Sequence, residues 1–143
     1  MELGAIKCSI RVEYDLIDKL IYKCKNQHRR CNYFKFLTQI KKITREFLLL
    51  MCYSNTLHLE KEEIPKYLQI IRNRIKEILI IIEKAGLSVI YQIKMHFFLP
   101  FCISLFLIFS RLYYLFQAFD HIAQNNPNNF FNFINSFKPK IGI

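Results

Sequence analysis

The chain has 143 residues with only three glycines and four prolines, well below the combined ~12% of an average protein, which excludes β-sandwiches and barrels with a turn every ~8–12 residues. Hydrophobic residues make up 52% and aromatic residues 15%, so a chain disordered throughout is excluded as well, leaving a compact helical domain or a membrane protein. The formal net charge is +10, and its excess is concentrated in residues 1–53, with 11 basic against 5 acidic groups; this implies a polyanionic partner, nucleic acid or an anionic membrane face, with a merely solvated charge run as the bland alternative.

No glycine or proline interrupts the chain between Ala5 and Ile64. Ile10, Tyr14, Ile17, Ile21, Cys24, His28 and Cys31 recur at alternating spacings of four and three, which puts one side chain per turn on a single stripe. The spacing predicts an amphipathic helix over residues 9–24. The polar run from Lys25 to Arg30 reads as a tight helix–helix connection, a continuous helix being the alternative. Tyr33, Leu37, Ile40, Ile43, Phe47, Leu50 and Met51 form a second stripe. Thr44 shares that face, where its hydroxyl is expected to bond a carbonyl one turn back.

Residues 54–64 form a polar link, after which Pro65 suits a first helical turn. Leu68, Ile71, Ile75, Ile78, Ile82 and Ala85 make a third stripe, with Gly86 expected to stop it. A short fourth helix is expected from about Leu87 to Phe98 and a fifth from Pro100 to about Ala123. The fold class expected is all-α, a bundle of about five helices over residues 1–123. Residues 124–143 form a low-complexity tail rich in Asn and Phe (Phe130, Phe131, Phe133 and Phe137), expected to be disordered in isolation.

The five cysteines, at positions 8, 24, 31, 52 and 102, are widely spaced, and the charged first 30 residues hold no secretory h-region. Both features favour free thiols in a reducing compartment. Cys24, His28 and Cys31 match no zinc signature and have no evident fourth ligand, so no metal site is expected. Catalytic motifs are equally absent. Asp15 and Asp18 read as a solvated ion-pair face beside Arg11 and Lys19. His58 with Glu62 reads as an ordinary pair four residues apart. The four histidines fall on separate elements.

Residues 97–119 are long enough to span a membrane only if Arg111 is tolerated within them, at ~2.5–3.5 kcal/mol on insertion scales. The uninterrupted stretch, 97–110, has the length of a buried core helix, and a helix apolar nearly all round suits the centre of a bundle.

The informative segment runs from Lys23 to Arg45. Lys23, Lys25, Arg29, Arg30, Lys35, Lys42 and Arg45 suit phosphate contacts, Arg29 and Arg30 through a guanidinium fork. Asn26, Gln27 and His28 either touch the ligand or brace the turn between helices. Tyr33 and Phe36 are expected in the core, and Phe34 is the candidate for stacking on a base.

Asn26-Gln27-His28-Arg29, followed by Tyr33-Phe34-Lys35, resembles the core of the RNA-binding domain in the RNase MRP-specific protein subunit family of fungi, a domain shared with an animal nucleolar protein family. A second patch, Phe98-Leu99-Pro100-Phe101-Cys102 with Arg111 further on, resembles that family's late helix. The resemblance covers about residues 10–116. This chain departs from it in having Tyr33-Phe34 where the family has two tryptophans, and Ser110 before the late arginine. The resemblance implies a noncatalytic subunit of a nuclear, nucleolar ribonucleoprotein that processes precursor ribosomal RNA. The partner RNA, with its own bound Mg²⁺, performs the cleavage, and the protein holds no cofactor. The implied partners are the RNase MRP RNA and other protein subunits, with no small-molecule substrate and no membrane. Two other readings compete: a single-span membrane protein with a basic cytoplasmic amphipathic region, and a helical DNA-binding module.

Overall fold

A computed structural model describes residues 3–53 and 62–136. Among these residues five helices follow in order: α1 (Leu3–His28), α2 (Asn32–Tyr53), α3 (Ile64–Lys94), α4 (Leu99–Asn125) and α5 (Pro127–Ser136). The first four are long and pack in a ring, α1 on α2, α2 on α3, α3 on α4 and α4 back on α1. Neighbours run antiparallel. The end of α1 meets the start of α4 through His28 and Phe101, while the end of α2 meets the start of α3 where Tyr67 donates to the Leu50 carbonyl. The fold is an all-α helical bundle.

The first two stripes close this ring. Ile10, Ile17 and His28 of α1 are buried, as are Tyr33, Leu37, Ile40, Phe47 and Met51 of α2. Helix α1 starts earlier than its stripe predicts and runs on through His28, so Lys25–His28 is its last turn and only Arg29–Cys31 forms the connection. Thr44 is fully buried, but its hydroxyl finds no partner, contrary to the back-bond expected of it.

Gly86 does not end a helix. Helix α3 passes through it to Lys94, merging the two helices expected over 65–85 and 87–98. The reason is register: Val89 is fully buried four residues after Ala85, continuing the line of Ile71, Ile75, Ile78 and Ile82. A stop at Gly86 would take Val89 out of the core, which outweighs glycine's ~1 kcal/mol helix penalty. The helix ends instead at a corner where His96 and Phe98 take positive φ, 58° and 48°.

The Asn/Phe-rich tail, expected to be disordered, carries α5. Its Phe130 is fully buried, with its ring near Tyr67, and Phe133 packs edge-on against Phe119. The expected position of Phe137, like those of His58 and most of the 54–64 link, falls outside the described residues.

Helix α4 packs on both flanking helices, burying Cys102, Leu105, Phe109, Leu112, Phe116 and Phe119. Arg111 is anchored from within this apolar run by Glu13 of α1. Its Nε lies 2.7 Å from Oε1 and a second guanidinium nitrogen donates to Oε2 at 3.2 Å. Glu13 is only 7% exposed, so this fork supplies the charge partner that burial of a carboxylate requires.

Candidate nucleic-acid interface

The α1–α2 connection and the α3–α4 corner lie at the same pole of the bundle, joined through His28. Its ring stacks on Phe101 (centroids 4.4 Å apart, planes at 13°) and meets Phe98 edge-on at 4.6 Å. Its Nδ1 shares a hydrogen bond with the Tyr33 hydroxyl. His28 is 2% exposed, and burial pushes its imidazole pKa below the ordinary value of 6.5. Burial likewise raises the pKa of Tyr33, reinforced by the neighbouring Cys31 thiol, and that of the Cys102 thiol. These are neutral groups at physiological pH. Of the two roles open to His28, the geometry assigns it the brace.

Around this plug the polar side chains turn outward. Asn26, Gln27, Arg29, Arg30 and Lys35 line one open cleft formed by the last turn of α1, the connection and the first turn of α2. The connection is tightened by the Cys31 N–H donating to the His28 carbonyl at 2.9 Å. The Cys31 carbonyl accepts from Phe34 and Lys35, which starts α2 and sets Lys35 facing the cleft. Lys23 and Lys25 are exposed on α1, with Lys25 over the Tyr22 ring at 5.5 Å. Lys42 and Arg45 are exposed further along α2, Lys42 about 10 Å of helix axis beyond Lys35. None of the seven cations is in an ion pair among the described residues. By contrast, Lys41 is held by Asp18, Arg72 by Asp120 and Arg111 by Glu13. Asp18 thus bonds α2 rather than a neighbour on its own helix.

The strongest electrostatic feature is an absence of carboxylates. Residues 19–45 contain nine Lys and Arg and no acidic side chain, and residues 84–119 contain none either. The antiparallel packing brings the turns within these stretches, around His28 and around Phe98–Phe101, together at this pole, and each stretch runs back from it along its helices. On α1 the nearest carboxylate is Asp18, ten residues before His28, or about 15 Å along the axis. That exceeds the ~8–10 Å over which physiological salt screens a charge. Lys94, exposed at the corner, adds to the same field, with His96 exposed beside it; neither was singled out from the sequence. The two gaps were readable in the sequence; that they share one end required the topology.

Phe34 does not serve as the stacking residue expected of it. It is 6% exposed and belongs to the core, as does Tyr33, while Phe36 is half-buried. Among the described residues, no group of three or more His, Cys, Asp or Glu side chains is placed to hold a metal ion.

Comparison with protein-family models, with curated proteins and with solved structures finds no match to this chain.

Proposed function

We propose that the chain is a noncatalytic RNA-binding bundle, a protein subunit of the RNase MRP ribonucleoprotein, acting in the nucleolus on RNA-catalysed processing of precursor ribosomal RNA. The carrying observation is the carboxylate-free cationic pole, with Arg29, Arg30 and Lys35 around one open cleft. Unpaired guanidinium and ammonium groups beside exposed amides suit a phosphate backbone flanked by hydrogen-bonding bases. The two segments that carry the family resemblance are far apart in sequence yet touch through His28, Phe98 and Phe101, which supports reading them as one functional unit. In this role Lys23, Lys25, Arg29, Arg30, Lys35, Lys42 and Arg45 neutralise phosphates, Asn26 and Gln27 contact the RNA, and His28 holds the turn that presents them. Magnesium chemistry belongs to the partner RNA.

Helix α4 also exposes Ile103, Phe106, Leu107 and Tyr114. An apolar strip of this kind suits contact with another protein subunit. The same strip favours one competing reading, membrane association, because α4 is long and apolar enough to span a bilayer and its most apolar window is only 33% buried. Carbonate extraction separates the two: a salt-extractable chain sinks the membrane reading.

The decisive experiment is purification of a tagged chain and identification of the copurifying RNA, expected to be the RNase MRP RNA. Arg29→Ala with Arg30→Ala should flatten the log–log salt dependence of binding by roughly 0.7–0.9 for each phosphate no longer neutralised. An unchanged slope removes both residues from the interface.

A further inference from the structure

Burial of Phe34 leaves the cationic pole without the stacking surface assigned to that residue, but the α3–α4 corner offers another. Phe97 is 56% and Phe98 54% exposed, outside the core, and the Phe98 ring meets His28, the residue before the Arg29–Arg30 connection. Phe98 is held in the left-handed region, φ 48°, with His96 two residues earlier at φ 58°. A bulky side chain rarely adopts that conformation, and where it persists the surroundings must fix it. They do so here. The Phe98 carbonyl accepts from the Cys102 N–H at 2.9 Å, the Phe97 carbonyl accepts from the Cys102 thiol, and the Phe98 ring is propped edge-on against His28. A strained corner thus holds two aromatic rings in solvent, one of them touching the residue next to Arg29.

Exposed rings on a surface of positive charge without carboxylates suit a ligand that combines anionic groups with flat π faces. Unpaired nucleotides have both. Duplex RNA offers the phosphates but keeps its base faces stacked inside.

We infer that Phe98 and Phe97 form the base-stacking surface of the RNA site, so that the pole takes unpaired nucleotides, with their phosphates toward Arg29, Arg30 and Lys35. This rests on the RNA-binding reading above and narrows its ligand to single-stranded or looped RNA.

The test uses the full chain and three probes: a single-stranded RNA of about 12 nucleotides with a central 2-aminopurine, a blunt RNA duplex of about 16 base pairs, and phosphatidylserine vesicles. The single strand should bind more tightly than the duplex, with quenching of the 2-aminopurine. Phe97→Ala and Phe98→Leu should each weaken single-strand binding by roughly tenfold and leave duplex binding unchanged. Phe98→Leu keeps apolar bulk against His28; should it lose its cooperative melt, Phe97→Ala, whose ring is mostly in solvent, decides alone. Equal binding of strand and duplex without quenching, or wild-type affinity in a folded variant, overturns the stacking surface and leaves RNA binding standing. Vesicle binding with no affinity for either RNA overturns both readings.

Discussion

Replacing His28 with alanine removes a buried hydrogen bond together with two ring–ring interactions, and it separates bracing from RNA contact. The Tyr33 hydroxyl, on a fully buried residue, is deprived of its His28 partner, at ~1–3 kcal/mol for a buried polar group left unsatisfied. The stack on Phe101 and the edge-on packing against Phe98 are worth ~0.5–1.5 kcal/mol each. The Cys31 thiol beside Tyr33 offsets part of the hydroxyl's penalty, so the expected cost is roughly 2–4 kcal/mol. For a chain of this size that lowers Tm by roughly 5–15 °C, measurable by circular dichroism in thermal and urea unfolding. The pH dependence supplies a second readout. Burial lowers the His28 pKa in the folded state below 6.5, so on acidification the unfolded chain takes up this proton first. The stability that neutral His28 contributes is therefore complete above about pH 6.5 and is lost as pH falls toward the folded-state value, by at most ~1.4 kcal/mol per pH unit. The stability gap between wild type and His28→Ala should narrow across that window. A variant as stable as wild type, or a gap independent of pH, would refute the bracing role.

Gly86→Ala should stabilise the protein by ~0.5–1 kcal/mol in urea unfolding, because the position is interior to α3 and an added Cβ meets nothing within 4 Å. Thr44→Val keeps the side-chain shape while deleting a buried hydroxyl without a partner; a gain of ~0.5–2 kcal/mol is expected, and a loss would mean that the hydroxyl is satisfied in solution. Arg111→Ala leaves the Glu13 carboxylate buried and unpaired. Because the guanidinium is half exposed, a cost of ~1–3 kcal/mol is expected, partly recovered by adding Glu13→Gln.

The long stripes were legible because spacings of three and four survive any packing arrangement, and Ile10, Ile17, Leu37, Ile40 and Phe47 are buried as read. Gly86 misled because a terminator is a local preference, whereas Ala85 and Val89 belong to one continuous tertiary packing line. Phe34 misled for a related reason. Helix α2 packs on both α1 and α3, so its apolar face is wider than one stripe and takes in adjacent Tyr33 and Phe34 together. The cations of the candidate site were readable one by one. Their union with Lys94, His96, Phe97 and Phe98 was not, because α3 and α4 meet α1 and α2 at that end only through the antiparallel ring.

Gly4 and Phe133 face each other at the pole opposite the arginines, with an ideal Cβ on Gly4 3.8 Å from the Phe133 ring. Helix α1 alone sets the two poles about 39 Å apart along its 26 residues. A probe attached beside Gly4 or Phe133 therefore starts far from the cleft.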